Sequence, residues 1–233
     1  MDNTTALHSL LAGNEAHPHK PMFHQPIERQ WRTFSWAEVT EQAKRIAQGL
    51  RAQGFEKGDR IVIMSKNCAE WFICDLAMML GDFVSVPIFP TAGADTIEYC
   101  VTHSESKALI GGKLDDAGAT QEVIDGQADL ITIALPYDTA PKCQHQFNDL
   151  MAQHAPTDFR AEHCDDKLMS LVYTSGTSGL PKGAMLTYGA FSWSAQQLIN
   201  HIGIEENDRL FSYLPLAHIT ERVYIFGSSI MGG

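Results

Sequence analysis

The sequence lacks the cysteine pattern of a secreted or zinc-binding protein. It has five cysteines in 233 residues, an odd number, and no C-x-x-C pair occurs, so neither a disulfide framework nor a zinc knuckle is indicated. Reduced thiols in a cytoplasmic protein are the simplest interpretation. The N-terminus has no basic segment followed by an apolar one, and we expect no secretory signal there.

Positive charge and long apolar runs are also scarce. The chain carries 28 acidic and 17 basic residues, a formal net charge of −11, which argues against a nucleic-acid-binding surface. The most apolar window, residues 76–89, is short and contains Asp82, so it does not predict a membrane span. Peripheral membrane contact stays open. Because residues 221–233 are apolar almost to the end, we expect the chain to be the first part of a longer protein whose C-terminal remainder is absent.

The first strong secondary-structure signals are a helix and a strand. Ser35 and Glu38 form a capping box for a helix that ends near Gln53, with apolar residues on one face. The β-branched run at 59–65 predicts a strand.

A second helix and strand follow directly. Asn67 and Glu70 are predicted to cap a helix that runs through Leu80 and is apolar on nearly every side, which indicates deep burial. Residues 83–89 predict the next strand. Strand, helix and strand within about 30 residues form a βαβ unit.

Weaker signals continue this alternation. They are a helix at 95–104, a strand at 108–112, a helix near Gln121, a strand at 130–135 and a helix at 188–201. Residues 136–166 are polar with several prolines and predict a loop-rich connection. The alternation predicts an α/β fold in which a parallel sheet has helices on both faces.

The stretch "LVYTSGTSGLPKGAMLTY", residues 171–188, is the most informative. Its glycines let a ligand approach the backbone, and successive N–H groups in such a turn bind anions. Its hydroxyl groups add donors without charge, and Lys182 adds one mobile positive charge suited to a phosphate. The stretch therefore predicts a loop that holds a polyphosphate.

Other glycine-rich motifs fit this stretch poorly. Counted from Gly176, the P-loop pattern G-x-x-x-x-G-K-[ST] fails, because Pro181 and Gly183 stand where a glycine and a hydroxyl residue belong. The dinucleotide motif G-x-G-x-x-G is absent, and the nucleophile elbow G-x-S-x-G is one residue short. "SESK" at 104–107 matches S-x-x-K without its partner motifs. The alternative without a binding role is a flexible surface linker. The expected position of the stretch between two buried strands disfavours this alternative.

The stretch resembles the AMP-binding signature of the adenylate-forming enzymes, which include acyl-CoA synthetases, luciferases and peptide-synthetase adenylation domains. "RTFSWAEVTEQAKRIAQGL" and "GDRIVIMSKNCAEWFICDLAMMLGDFVSVPIFP" agree with that family's large N-terminal domain, whereas residues 111–166 match loosely. The resemblance implies binding of ATP with Mg²⁺. The residues assigned to ATP are Thr174, Ser175, Gly176, Thr177, Ser178, Gly179 and Lys182, of which Lys182 is also assigned a catalytic role.

A second motif indicates the acyl substrate. "YLPLAHITERVYIF", residues 213–226, most resembles the long-chain fatty acid branch. The resemblance implies that His218 lines the site where the acyl carboxylate meets the α-phosphate. A core histidine at a helix start is the alternative, and Glu221 and Arg222 are assigned structural roles.

The resemblance implies a division into a first α/β subdomain at 1–166 and the start of a second at 167–233. It implies ATP-dependent conversion of a long-chain fatty acid to acyl-AMP and then acyl-CoA, with coenzyme A as co-substrate. The family's later motifs do not occur before Gly233, so we expect this fragment alone to be inactive. Two alternatives remain: an acyl-AMP ligase that delivers to a carrier protein, and a nucleotide- or acyl-binding module without turnover.

Overall fold

The computed structural model describes residues 5–159, 165–174 and 180–232, and within these ranges the strands form a hairpin and one larger sheet. The strands are β1 (Pro21–Ile27), β2 (Gln30–Ser35), β3 (Arg60–Met64), β4 (Val84–Pro87), β5 (Ala108–Gly111), β6 (Ile131–Ala134), β7 (His145–Gln146), β8 (Leu168–Thr174) and β9 (Lys182–Thr187). The larger sheet has the order β7-β6-β5-β3-β4-β8-β9.

The helices connect these strands. They are α1 (Ala6–Ala16), α2 (Trp36–Ala52), α3 (Ala69–Gly81), α4 (Ala94–His103), α5 (Gly118–Gly126), α6 (Phe147–Gln153), α7 (Tyr188–Ile202), α8 (Ile219–Glu221) and α9 (Ser228–Met231), with a π-helix at Arg222–Gly227 between the last two. Among the residues that the structure describes, every helix is too short or too polar to span a bilayer.

The larger sheet is parallel except for β9, which pairs antiparallel with β8. Side chains of β3 alternate between two apolar clusters. Ile61 and Ile63 pack into the cluster formed with α2 and α3, whereas Val62 and Met64 pack into the cluster formed with α4 and α5. Since successive strand residues face opposite sides, both faces of the sheet are covered by helices. The predicted α/β fold is confirmed.

The predicted capping box at the start of α2 is present. The Ser35 hydroxyl accepts the Glu38 N–H at 3.2 Å, and the Glu38 carboxylate accepts the Ser35 N–H at 2.7 Å. These bonds satisfy N–H groups that the first helical turn leaves without partners. The hydrogen bond from the Ser35 backbone lowers the pKa of Glu38.

The predicted cap of α3 by Asn67 is wrong. The residue before the helix is Cys68, which makes no side-chain capping bond, and the N–H of Ala69 donates instead to Gln25 Oε1 at 2.5 Å. The carboxylate of Glu70 accepts the Tyr137 hydroxyl. The side chain of Asn67 is engaged elsewhere, with residues far along the chain.

The loop-rich connection predicted for 136–166 is also partly wrong, because it contains β7 and α6. Phe147 and Leu150 of α6 are buried in the main core, and α6 packs on α2. The hairpin of β1 and β2 was not predicted either. The division of the chain at 166/167 stays a prediction; beyond that point β8 joins the sheet beside β4, where Ser170 pairs with Ser85.

Candidate active site

Strands β8 and β9 pair up to the last residue of β8 and the first residue of β9. Thr174, the last residue of β8, pairs with Lys182, the first residue of β9, so the two residues that flank segment 175–181 lie side by side. Both Thr174 and Lys182 are exposed. The predicted nucleotide-binding residues Ser175, Gly176, Thr177, Ser178 and Gly179 lie outside the described residues. The structure therefore places the ends of the predicted phosphate loop, with its lysine at one end.

In the pair next to Thr174 and Lys182, a tyrosine side chain packs across the β8–β9 hairpin. Tyr173 pairs with Gly183, and a Cβ at Gly183 would lie 3.2 Å from the Tyr173 ring. The Tyr173 hydroxyl shares a 2.7 Å hydrogen bond with His103 Nδ1. Burial raises the pKa of Tyr173 to about 12, so the hydroxyl keeps its proton at neutral pH. Gly183 thus gives the ring space, and the ring ties the hairpin to α4.

The turn lies at the carboxyl edge of the parallel strands. Because β8 runs parallel to β4, and β4 to β3, residues that follow β8 share an edge with the loop that follows β3. That loop contains Asn67, whose side-chain amide binds the segment 212–216. Segment 212–218, called the histidine segment, ends at His218. The sheet edge therefore carries the base of the phosphate loop and is hydrogen-bonded to the histidine segment, as expected of ligand sites in open α/β sheets.

His218 immediately precedes α8 and caps it with its own ring. The N–H of Thr220 donates to His218 Nδ1 at 3.2 Å. A nitrogen that accepts this bond carries no proton, so the neutral ring has its proton on Nε2. The side chain is exposed. His218 consequently offers solvent or a ligand one N–H donor in a fixed tautomer.

Behind this surface, the guanidinium of Arg222 is fully buried. It binds Asp75 of α3 in a bidentate ion pair, with Nη2 at 2.6 Å from Oδ1 and Nε at 3.1 Å from Oδ2. It also donates to the hydroxyls of Ser170 on β8 and Ser85 on β4, each at 2.6 Å. These serines pair where β8 joins β4. Since the Arg222 N–H also donates to the carbonyl of His218 at 3.2 Å, this network connects β8 with the histidine segment.

No cluster of three or more metal-ligating side chains is found in the described part of the chain. A surface cavity of about 520 Å³ is lined by Lys107, Leu130 and Ile131 among others. These residues stand at the amino ends of β5 and β6, the edge opposite the phosphate turn. The cavity is therefore separate from the candidate site.

Sequence reasoning missed two residues of this arrangement. Asp75 is a single carboxylate in the middle of an apolar helix, a pattern that signals a buried partner because an unpaired charge is costly in a core. Asn67 had an equally good local explanation as a helix cap, and nothing in the neighbouring sequence indicates its partners.

Comparisons with known proteins agree on one family. A family model described as AMP-binding enzyme matches residues 12–233. Fatty acyl-CoA synthetase A of Dictyostelium discoideum is 32% identical over 217 residues, covering 87% of this chain and 32% of that protein. Long-chain-fatty-acid–CoA ligase FadD15 of Mycobacterium bovis is 27% identical over 210 residues, covering 88% of this chain and 35% of that protein. The chain spans about a third of the length of these relatives.

A solved structure shows the same fold. The crystal structure of the anthranilate CoA ligase AuaEII in complex with anthranoyl-AMP superposes with a TM-score of 0.88. The match covers 98% of this chain and 43% of that one at 20% identity.

Proposed function

The chain belongs to the AMP-binding enzyme family, as its signature stretch predicts, and from this premise we propose that the full-length protein is a long-chain fatty acid–CoA ligase. In the first step a carboxylate oxygen of the acid attacks the α-phosphorus of ATP, and the bond to pyrophosphate breaks. In the second step the sulfur of coenzyme A attacks the acyl carbon, the thiol proton is lost, and AMP leaves. The names of the relatives at 32% and 27% identity support this substrate class.

The observation that carries the proposal is that both motifs are attached to the same edge of the sheet. The paired residues Thr174 and Lys182 hold the ends of the phosphate loop there, and Asn67 at the same edge binds the segment that leads to His218. The motif at residues 171–188 suits a polyphosphate, and the motif at residues 213–226 resembles that of the long-chain fatty acid branch of the family. A reaction between a carboxylate and an α-phosphate needs both ligands at a common site.

Lys182 and Thr174 address the main obstacle to the first step, the approach of an anionic carboxylate to an anionic triphosphate. Lys182 is exposed at the start of β9, and its ammonium supplies a positive charge where phosphate charge develops. The Thr174 hydroxyl and the N–H groups of the turn add neutral donors. We assign Lys182 to transition-state stabilisation and Thr174, with residues 175–179, to nucleotide binding.

His218 has a different part in the proposal. Because its Nδ1 accepts the Thr220 N–H, its Nε2–H is the group free to donate to an oxygen of the acyl carboxylate or the α-phosphate. A neutral donor orients an anion without forming a tight ion pair that would hold the ground state. We assign His218 to orientation of the reacting carboxylate.

Magnesium enters the proposal with ATP. Mg²⁺ is held mostly by substrate phosphates and water, with one or two carboxylates from the protein, and the described residues offer no ready-made cluster for it. It would neutralise part of the triphosphate charge. A cytoplasmic location also belongs to the proposal, supported by free thiols at Cys68, Cys74, Cys100 and Cys143.

The test is CoA-dependent AMP formation by the full-length protein with acids of different chain length. We expect turnover with long-chain fatty acids and none with amino acids. AMP formation with amino acids alone contradicts the substrate class. If acyl-AMP accumulates in the presence of CoA and is consumed only when an acyl carrier protein is added, coenzyme A is not the acceptor.

A further inference from the structure

We propose that Asn67 and Glu221 are positioning residues that clamp the segment 212–218 and thereby set the direction of His218. The inference rests on the proposed function, since the reaction is what the clamp serves. Neither residue is predicted to touch a substrate.

Asn67 stands on a rigid support. The loop between β3 and α3 is tied to the end of β5, because Ser65 Oγ accepts the N–H of Lys113 at 2.8 Å and the N–H of Lys66 donates to the carbonyl of Lys113 at 2.8 Å. Gly112 packs so close to Ser65 that a Cβ there would lie 2.5 Å from Ser65 Oγ. A side chain from this loop is therefore a fixed reference point at the sheet edge.

The Asn67 amide makes three hydrogen bonds with the histidine segment. Its Nδ2 donates to Ser212 Oγ at 2.7 Å and to the carbonyl of Leu214 at 2.8 Å, and its Oδ1 accepts the N–H of Leu216 at 3.2 Å. A carbonyl only accepts and a backbone N–H only donates, so the amide has one orientation that satisfies all three partners. These bonds fix the backbone before and within the turn at Pro215–His218.

Glu221, which follows the segment in the chain, binds the first two residues of the same segment. Its Oε1 accepts the Ser212 hydroxyl at 2.7 Å and the N–H of Tyr213 at 2.9 Å. The Glu221 side chain is buried, where hydrogen bonds to a carboxylate are stronger than at the surface. Ser212 thus accepts from Asn67 and donates to Glu221, which joins the two positioning residues into one relay.

Along the chain, His218 lies between these contacts at residues 212–216 and Glu221 itself. Its N–H donates to the carbonyl of Pro215 at 2.8 Å, which closes the turn, and its own carbonyl accepts the N–H of Arg222. Leu216 and Ala217 anchor the turn by burying their side chains, whereas His218 is exposed. The imidazole is therefore aimed by backbone that Asn67 and Glu221 hold. Small errors in the placement of a reacting group reduce rates strongly while leaving binding nearly intact.

The experiment uses the full-length protein with Asn67→Ala, and measures kcat and KM for ATP in fatty-acid-dependent ATP–pyrophosphate exchange. We expect kcat to fall roughly ten- to hundredfold, with KM for ATP within about threefold of wild type because the phosphate loop is untouched. Asn67→Asp, which has the same size but puts an acceptor against the Leu214 carbonyl, should lose at least as much. Ser212→Ala removes only the hydroxyl that links Asn67 to Glu221. It replaces Asn67→Ala in the same assay if that variant does not fold.

A matched control is Gln121→Ala, because Gln121 is another side-chain amide that bridges distant backbone, at Lys142. It should leave kcat unchanged. Hydrogen exchange gives a readout independent of activity: the Leu216 N–H should exchange faster in Asn67→Ala than in wild type. If Asn67→Ala exchanges the Leu216 amide hydrogen faster but keeps the wild-type kcat, the positioning role is overturned. An equal loss of kcat in Gln121→Ala overturns it as well. If the wild-type protein shows no fatty-acid-dependent ATP–pyrophosphate exchange, the proposed function itself is refuted.

Discussion

Arg222 and Asp75 form a bidentate ion pair in the core, although 147 residues separate them in the chain. The pair also holds Ser85 and Ser170, the residues at which β4 meets β8. Asp75 belongs to α3 and Arg222 to the π-helix that follows His218. One buried network therefore ties the first βαβ unit, the strand before the phosphate turn and the histidine segment to each other.

Breaking this pair should destabilise the protein strongly. Asp75→Asn leaves a buried guanidinium without its counter-charge, and we expect a loss of about 3–5 kcal/mol in the free energy of unfolding, measured by urea denaturation. The double variant Asp75→Leu with Arg222→Met removes both charges and should lose less than the single variant. A loss below about 1 kcal/mol in Asp75→Asn would show that the pair does not hold the core.

Two glycines on either side of the sheet provide a matched test of local packing. A Cβ at Gly112 would lie 2.5 Å from Ser65 Oγ and 2.6 Å from Leu135, whereas a Cβ at Gly126 meets nothing within 4 Å. Gly112→Ala should cost about 1–3 kcal/mol of stability. Gly126→Ala, at the end of α5, should be neutral or stabilising by up to about 1 kcal/mol. Thermal denaturation of both variants measures these changes. Equal stabilities of the two variants would contradict the close contact between Gly112 and Ser65.

The capping box predicts a dependence of stability on pH. The pKa of Glu38 is lowered from 4.5 in the folded state, mainly by the hydrogen bond from the Ser35 backbone. A lowered pKa contributes stability above pH 4.5, and this contribution disappears as the pH falls through the folded-state value. Wild type should therefore exceed Glu38→Gln in melting temperature at pH 7, and the difference should shrink below pH 4.5.

The control for this measurement is Glu98→Gln, which removes an exposed carboxyl on α4. Its melting temperature relative to wild type should change little over the same pH range. A Glu38→Gln variant that parallels wild type at every pH would contradict a stabilising charge at the helix start.

Much of the fold was predictable because its signals are local. The capping box at Ser35, the apolar run of β3 and the all-apolar α3 each reveal their structure within a few residues. The hairpin of β1 and β2 was missed because its turn residues Glu28 and Arg29 adopt positive φ angles, 49° and 65°. Such turns are normally signalled by glycine or asparagine, and this sequence gives no such signal.

The site was predictable only in part, for a related reason. The signature around Thr174 and Lys182 is a continuous stretch, and its ends meet in the structure as a hairpin base. Asn67 and Asp75 find their partners about 145 residues later in the chain. Local pattern therefore assigned Asn67 to a helix cap, when tertiary hydrogen bonds determine its role.

The most direct test of the proposed ligase function is fatty-acid-dependent ATP–pyrophosphate exchange by the full-length protein and its Lys182→Ala variant. Lys142→Ala, which removes an exposed lysine near β7, is the matched control. The proposed function predicts pyrophosphate exchange in wild type and in Lys142→Ala, and a loss of about a hundredfold or more in kcat for Lys182→Ala, with fatty acid binding little changed. Unchanged exchange in Lys182→Ala, or wild-type protein that neither binds ATP with magnesium nor exchanges pyrophosphate, would contradict it.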